Sequence, residues 1–301
     1  MTAAGVTIAN APPVDAAKGA WRRLGSRPIQ KFLRDPAAIC GAMLLVIVGV
    51  ALAAAPWLAP QDPLAVSVPN RLARFSWAHP LGTDGVGRDM LSRVLYGGRS
   101  SVALALTVTA LTTVLGLTLG VLAGMRGGLI DSVIMRAVEI VQAVPLVIVA
   151  MVTVKLLGGG PAKLVLVLAL LGWTGEARVV RAATLSLREQ EFVKSCEVIG
   201  ASRFRVAFRH IVPNLLSPVV VMSTLAVGRI LLALSTLSFL GFGARPPHPE
   251  WGSMLSEARN YFFLAPRLLI IPGTAIFIVA IGANLFGEGL RDAFQPARGR
   301  S

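Results

Sequence analysis

Histidines, cysteines and nucleotide-binding motifs are the first places to look for chemistry in this 301-residue sequence. The three histidines, His79, His210 and His248, fall in three separate predicted loops, and no H-E-x-x-H zinc motif occurs. No Gly-Lys pair occurs, which excludes a G-x-x-x-x-G-K-[ST] phosphate-binding loop. The two cysteines indicate neither a disulfide framework nor a metal cluster. The sequence therefore predicts no catalytic or metal site, and any energy-driven work must draw on an ion gradient or on a partner.

A few polar side chains within apolar runs are candidates for a path through a membrane. They are Glu139, Gln142, Arg229 and Asn284. Ionisable groups at membrane depth are functional candidates by default, because burying a charge in hydrocarbon is costly. Two alternatives stay open. Glu139 lies near one end of its run and can extend to the surface or pair with Arg136, and Arg229 can pair with a charge or a carbonyl inside the bundle.

The stretch 188–218, REQEFVKSCEVIGASRFRVAFRHIVPNLLSP, cannot lie in hydrocarbon, although strongly apolar segments flank it. Its pattern predicts two short amphipathic helices joined at a tight corner. We expect Gly200 to end the first helix, Ser202 to cap the second and Pro213 to end the unit. The apolar stripes comprise Phe192, Val193, Cys196 and Ile199, then Phe204, Ala207, Phe208 and Ile211. Helices this short are marginal in water, so both stripes must dock on another surface.

Composition indicates a membrane protein. The chain is 54% hydrophobic and 15% charged, whereas a soluble domain has about 25% charged residues. Apolar runs of the kind that a bilayer demands predict six transmembrane helices, so the predicted fold class is an all-α integral membrane protein. The spans are expected at 37–59, 100–125, 132–157, 163–174, 215–242 and 267–286. The fourth looks short, and its helix is expected to continue through Glu176 and Arg181.

The segment 60–98 is polar and broken by prolines and glycines. Its glycines do not follow G-x-G-x-x-G, and Asp84 and Asp89 lack the spacing of a calcium loop. We therefore expect a structural glycine-rich loop, followed by a short amphipathic helix that lies along the membrane surface. The apolar positions of that helix are Met90, Leu91, Val94 and Leu95.

The distribution of positive charge predicts the topology. A formal charge of +14 is compatible with nucleic acid, but the basic residues lie in loops beside apolar spans, as the positive-inside rule expects. One set of loops and both tails carry 18 Lys and Arg residues, and the opposite loops carry 9. Both termini and the stretch 188–218 are therefore predicted to be cytoplasmic. The predicted regions are a tail 1–36, a first span 37–59, an external loop 60–98, a core 99–290 with a cytoplasmic loop 188–214, and a tail 291–301.

The cytoplasmic loop also resembles a known family. GAS at 200–202 and HIVPN at 210–214 are similar to the loop of binding-protein-dependent ABC importer permeases, whose pattern is E-A-A-x-x-x-G, nine residues, then I-x-L-P. Lys194 stands where that pattern has its acid, and Ser195 and Cys196 replace its two alanines. The segments HPLGTDGVGRDMLSRVLYGGRSSVALAL, SFLGFGARPPHPEWGSML and NLFGEGLRDAFQP resemble the second permease of the dipeptide, oligopeptide and nickel importers. The resemblance covers residues 32–296.

The resemblance implies a type I ABC importer permease fold in the inner membrane, with this chain as a transporting subunit and not an enzyme. The implied partners are a second homologous permease, two cytoplasmic ATPase subunits and an external substrate-binding protein, with no role for nucleic acid. No cofactor is expected on this chain, because ATP and Mg would bind to the ATPases. The implied ATPase-coupling residues are Lys194, Ser195, Cys196, Gly200, Ala201, Ser202, Arg203, Phe204, His210 and Pro213.

Two other functions remain as alternatives. A gradient-driven secondary transporter often shows inverted repeats and paired broken helices with acids at the membrane midplane. No repeat is visible between the halves of this sequence, and Glu139 is the one acid assigned to a span. A membrane scaffold without transport would leave the long motifs on both faces unexplained. The substrate stays open among dipeptides, longer peptides, glutathione-like peptides and nickel complexes.

Overall fold

The computed structural model describes residues 30–294, and this part of the chain is almost wholly helical, with a single β-bridge between Thr83 and Asp89. The α-helices are α1 (Pro36–Ala53), α2 (Ala55–Leu58), α3 (Met90–Arg126), α4 (Gly128–Gln142), α5 (Leu146–Leu156), α6 (Pro161–Arg188), α7 (Glu191–Val198), α8 (Arg203–Val206), α9 (Val212–Phe239), α10 (Trp251–Ala258) and α11 (Arg267–Phe294). A π-helical segment, Ala207–Ile211, joins α8 to α9. Short 3₁₀ turns occupy Val68–Asn70 and Arg259–Tyr261. Most of the two predicted tails lies outside the described residues.

Four helical runs in the described part are long and apolar enough to cross a membrane, namely Pro36–Ala53, Met90–Arg126, Arg203–Phe239 and Arg267–Phe294. The pair α4 and α5 makes a fifth if it counts as one broken span. Helix α6 has 28 residues, which is long enough at about 1.5 Å per residue, but its charged residues lower its apolarity. The predicted all-α membrane fold is confirmed, and the six-span topology with cytoplasmic termini stays a prediction.

The predicted surface helix at the end of the external loop is wrong. Residues 90–98 are the start of α3, which runs unbroken to Arg126. Gly98 does not interrupt the helix, because neighbouring elements lie directly against it. A Cβ atom at Gly98 would lie 2.5 Å from side-chain atoms of Leu52 and Trp251. Tertiary packing therefore overrides the weak helix propensity of glycine at this point.

The third predicted span, 132–157, is also not one continuous helix. Helix α4 ends at Gln142 and α5 begins at Leu146, and their axes differ by 88°. Pro145 lies in the break and has no N–H to continue the helix. Its ring also disfavours the helical conformation at Val144. The local chemistry of proline therefore divides this segment into two helices.

Helices α3 and α6 pack side by side along much of their length. The contact on α3 is made by Gly116, Gly120 and Gly124, which follow each other at one-turn spacing. A Cβ atom at Gly120 would lie 2.7 Å from the carbonyl oxygen of Ala177 on α6. Small residues at this spacing let the two backbones approach closely, as is typical of helix pairs in membranes.

The bundle has two ends, which we name by the segments that they carry. The coupling end carries residues 188–214, and the outer end carries the loops 60–89 and 243–266. A large apolar core fills the outer part of the bundle around Trp251, Leu231 and Leu237. A second apolar cluster lies at the coupling end and is described with the site below.

Ion pairs tie the two loops of the outer end together. Arg88 Nε lies 2.6 Å from Asp84 Oδ2, and Arg93 Nη2 lies 3.0 Å from Glu257 Oε2 on α10. Arg88 also pairs with Glu257, so this one carboxylate holds both arginines. Beside them His79 Nδ1 lies 3.0 Å from an oxygen of Asp89. The glycine-rich loop therefore has a structural role, as predicted.

Candidate coupling site

The corner in the stretch 188–214 is built by Gly200 and Ser202, as predicted. Helix α7 ends at Val198, and Gly200 has a φ of 81°, in the left-handed region that favours glycine. The Ala201 N–H donates to the Cys196 carbonyl at 3.0 Å, which closes the end of the helix. Ser202 then caps the next helix, since its hydroxyl accepts from the Arg205 N–H at 3.3 Å.

Pro213 does not end the second helix, so this prediction is wrong. The helix continues through the π-helical segment into α9, and the helical run extends from Arg203 to Phe239. In the π segment the Val212 N–H donates to the Ala207 carbonyl. This wider turn shifts the carbonyls that a regular helix would press against the proline ring. The stretch 188–214, which we call the coupling loop, is therefore continuous with a membrane-spanning helix.

One face of this helix pair is buried in an apolar cluster. Val193, Val206 and Ile211 are each fully inaccessible to solvent. The cluster comprises Met125, Val180, Val193, Val206, Ala207, Ile211, Leu215 and Val219. These residues come from α3, α6, α7, α8, the π segment and α9. The stripes therefore dock in part on the ends of α3, α6 and α9.

The other face carries large apolar side chains in contact with solvent. We call it the coupling surface, and it consists of Phe192 (42% exposed), Val198 (86%), Ile199 (81%), Phe204 (73%) and Phe208 (60%). The rings of Phe204 and Phe208 contact each other with centroids 4.4 Å apart and planes inclined by 37°. Four of the five were predicted to lie in or beside the docked stripes, so the stripes are only half buried within this chain. Exposed apolar patches of this kind mark sites of protein or membrane contact.

Polar groups surround the coupling surface. Arg203, Arg205 and Arg209 are exposed. Lys194 Nζ lies 2.9 Å from Glu189 Oε2. The hydrogen bond and the charge of Lys194 hold the pKa of the Glu189 carboxyl below its usual range. The surface therefore combines an apolar centre with a predominantly basic rim.

Two further contacts fix α7 against the π segment. Cys196 Sγ lies 3.7 Å from His210 Nε2, and the ring of Phe192 lies 6.3 Å from the ring of His210. Ser195 is bound within its own helix, because its hydroxyl donates to the Glu191 carbonyl at 2.8 Å. Cys196 and His210 thus join the two helices on either side of the corner.

A family model described as "binding-protein-dependent transport system inner membrane component" matches residues 116–300, which include this whole site. The chain belongs to this family. It is a permease subunit of an inner-membrane transport system, and the predicted class of importer permease and its location in the inner membrane are confirmed. Membership of a binding-protein-dependent system also means that the permease works with other components.

Curated relatives match almost the whole chain. A dipeptide transport system permease protein of Haemophilus influenzae is 37% identical over 279 residues, which cover 89% of this chain and 95% of that protein. A glutathione transport system permease protein of Pectobacterium atrosepticum is 38% identical, with 92% and 91% covered. A probable D,D-dipeptide transport system permease protein of Escherichia coli is 35% identical, with 91% and 92% covered. These matches do not favour the alternative of a gradient-driven transporter.

In the described part of this permease, no hydrogen bond or ion pair joins any two of the four predicted path residues. Glu139 lies 2.9 Å from Arg136 Nη1 with both side chains mostly exposed, which is the ion pair named as its alternative. Gln142 Nε2 donates to Thr174 Oγ1 at 3.3 Å and so links α4 to α6. Arg229 and Asn284 are exposed on α9 and α11. Their part in a path stays a prediction.

Sequence reasoning missed the residues that brace the coupling end. Arg181 on α6 donates to Asp131 on α4 through Nε and Nη2, and the Nη2 to Oδ2 distance is 2.5 Å. Arg188 Nη1 donates to the Gly124 carbonyl at 2.8 Å, which ties α6 to the end of α3. The basic residues at this end were counted only for topology. Their partners depend on helix packing, which sequence spacing did not reveal.

Proposed function

We propose that this permease is one half of the membrane channel of an ATP-driven peptide importer. It would pair with a second, homologous permease, and the peptide would pass between the two. The names of its relatives support a peptide substrate, because they specify dipeptides, a D,D-dipeptide and glutathione. The same names give no support to a nickel complex as the primary cargo.

The coupling surface is the observation that carries this proposal. Its five apolar side chains are exposed at the coupling end of the bundle. The same helices bury their other face in the apolar cluster there. A partner that covers this surface would remove the exposed apolar area from water, at about 25 cal/mol per Å². The partner that we propose is a cytoplasmic ATPase subunit with an apolar groove and an acidic rim to meet Arg203, Arg205 and Arg209.

The helix that follows the corner can transmit a movement of the ATPases to the membrane-spanning bundle. Because the run Arg203–Phe239 is unbroken, a force on the coupling surface acts directly on α9. The buried cluster adds the ends of α3 and α6 to the same unit. ATP and Mg would bind to the ATPase pair, whose two states must bind this surface with different affinities to drive a conformational change. An external binding protein would deliver the peptide to the outer end.

Reconstitution tests the proposal. The chain is purified with its candidate second permease, ATPases and binding protein, and is placed in lipid vesicles. We expect peptide uptake that requires ATP, and ATP hydrolysis that rises when the loaded binding protein is added. Uptake by the chain alone, driven by a proton or sodium gradient, would refute the proposal. Screening the binding protein against dipeptides, longer peptides, glutathione and nickel complexes then identifies the cargo.

A further inference from the structure

Helix α9 carries an open stripe of residues with a single charge in it. The stripe consists of Pro218, Met222, Leu225, Arg229, Leu232 and Thr236, which are exposed or partly exposed and follow each other at intervals of three and four residues. This spacing keeps them on one side of a helix. Arg229 therefore lies on an open face of the permease.

Arg229 is deep in the apolar part of the bundle. Its helix ends at Phe239 on the outer side, about 15 Å from Arg229 at 1.5 Å per residue. The hydrocarbon core of a bilayer is about 30 Å thick, so this distance corresponds to the middle of a membrane. A charge at this depth is costly if it faces lipid, and it is tolerated where it faces water or protein.

The neighbours of α9 define the direction in which Arg229 opens. On one side α11 lies close, since a Cβ atom at Gly228 would be 3.1 Å from the Ala280 carbonyl oxygen. On the other side Met222 of α9 and Glu176 of α6 line the same small cavity. The far face of α9 lines an apolar groove through Val227, which is about 200° around the helix from Arg229. Arg229 thus faces the space between α6 and α11, on the side of α9 away from this groove.

The charge of Arg229 is only partly balanced within the chain. Among residues 30–294 its guanidinium forms no ion pair and no side-chain hydrogen bond. The carboxylate of Glu176 acts on it electrostatically. Glu176 itself is 8% exposed and packs on Gly116, where a Cβ atom would lie 2.6 Å from the Glu176 Cβ. The guanidinium donors are therefore available for a ligand.

We propose that Arg229 binds the C-terminal carboxylate of the peptide as it crosses the membrane. This inference rests on the proposed function and names the group of the substrate that the permease recognises. A guanidinium donates two parallel N–H bonds to a carboxylate, which suits a terminal group that every unmodified peptide carries.

The test compares two probes in the complete reconstituted importer. The probes are trialanine and trialanine amide, which differ in the terminal charge, each supplied at a concentration that saturates the binding protein. We expect Arg229→Gln to lower ATP-driven uptake of the free acid about tenfold, as the loss of a charge-assisted pair predicts, and to leave uptake of the amide unchanged. Arg229→Lys should keep part of the preference. Leu232→Ala, a change on the same stripe without a charge, should not alter the ratio of the two rates.

Other outcomes distinguish failure of the carboxylate site from failure of the proposed function. If Arg229→Gln leaves the ratio of the two uptake rates unchanged, whether or not both rates fall, the carboxylate site is overturned. Failure of the variant to co-purify with the second permease also overturns it, because Arg229 would then be a contact with that subunit. If the wild-type importer takes up neither probe with ATP while its binding protein captures both, the proposed function itself fails.

Discussion

Lys194 Nζ lies 2.9 Å from Glu189 Oε2, across the turn between α6 and α7. The family pattern has an acid at this position, and an acid is suited to meet a basic partner. Here the lysine instead pairs with a carboxylate of its own chain. The charge at position 194 is therefore engaged within the coupling loop, and the proposed contact with an ATPase rests on the apolar coupling surface.

Restoring the acid tests this interpretation. Lys194→Glu removes the ion pair and sets two carboxylates close together, but both positions are exposed, so the chain should still fold and assemble. We expect ATP-driven uptake to be retained or to be coupled more tightly to ATP hydrolysis. Co-purification with the ATPases and uptake per ATP are the measurements. The charge-reversed pair, Glu189→Lys with Lys194→Glu, is the control. Loss of assembly in the single variant but not in the reversed pair would show that the ion pair is essential.

The same ion pair predicts a dependence on pH. Lys194 holds the pKa of Glu189 below its ordinary value of 4.5. Because the pKa of this acid is lower in the folded chain, the pair stabilises the fold at pH values above the ordinary pKa. This stabilisation is lost as the pH falls through the lower, folded-state pKa. An NMR titration of the labelled Glu189 carboxyl carbon measures this. The pKa should rise in Lys194→Gln, and an unchanged pKa would contradict the contact.

Gly200 gives a test of the corner. A Cβ atom at Gly200 would meet nothing within 4 Å, so the effect of a substitution comes from its positive φ and not from a clash. Gly200→Val should cost about 1–2 kcal/mol of backbone strain and change the angle between α7 and α8. We expect normal membrane insertion but loss of coupling between ATP hydrolysis and uptake. Gly200→Asn, which tolerates the left-handed conformation, is the matched control. Normal uptake in the valine variant would refute a rigid corner.

The two faces of the coupling helices should respond differently to truncation. Replacing both Phe204 and Phe208 by Ala should leave the thermal stability of the purified chain nearly unchanged, because both side chains are exposed. It should weaken binding of the ATPases by at least about tenfold, as loss of an aromatic anchor does. Ile211→Ala, within the buried cluster, should instead lower stability by about 2–5 kcal/mol. Pull-down affinity and thermal unfolding in detergent distinguish the two, and equal effects on both would contradict the division into faces.

The contact between α3 and α6 can be tested with matched glycine substitutions. Gly120→Ala would place a methyl group 2.7 Å from the Ala177 carbonyl oxygen and should destabilise the chain by about 1–3 kcal/mol through overpacking. A Cβ atom at Gly175, on α6, meets nothing within 4 Å. Gly175→Ala should therefore stabilise the helix by about 0.5–1 kcal/mol. Thermal unfolding measures both, and a stabilising effect of Gly120→Ala would argue against the close packing.

The sequence alone determined the features that depend on short-range chemistry. Long apolar runs became helices, because an apolar helix satisfies its backbone hydrogen bonds internally. The corner at Gly200 and Ser202 followed from a positive φ and a helix cap, which involve residues within four positions of each other. The pattern from Gly200 to Pro213 and the flanking motifs indicated the family. Pro145 was also visible in the sequence, yet its break was missed because the run around it is so apolar.

The tertiary structure decided which neighbour each residue meets. Gly98 continues a helix because Trp251 packs against it, and Pro213 continues one because a π turn precedes it. Both stripes of the coupling loop looked equally apolar in the sequence, and only the ends of α3, α6 and α9 fixed the face that is buried. The same packing left Arg229 open between α6 and α11. These outcomes depend on contacts between residues far apart in the chain, whose geometry the spacing of residues along one helix does not contain.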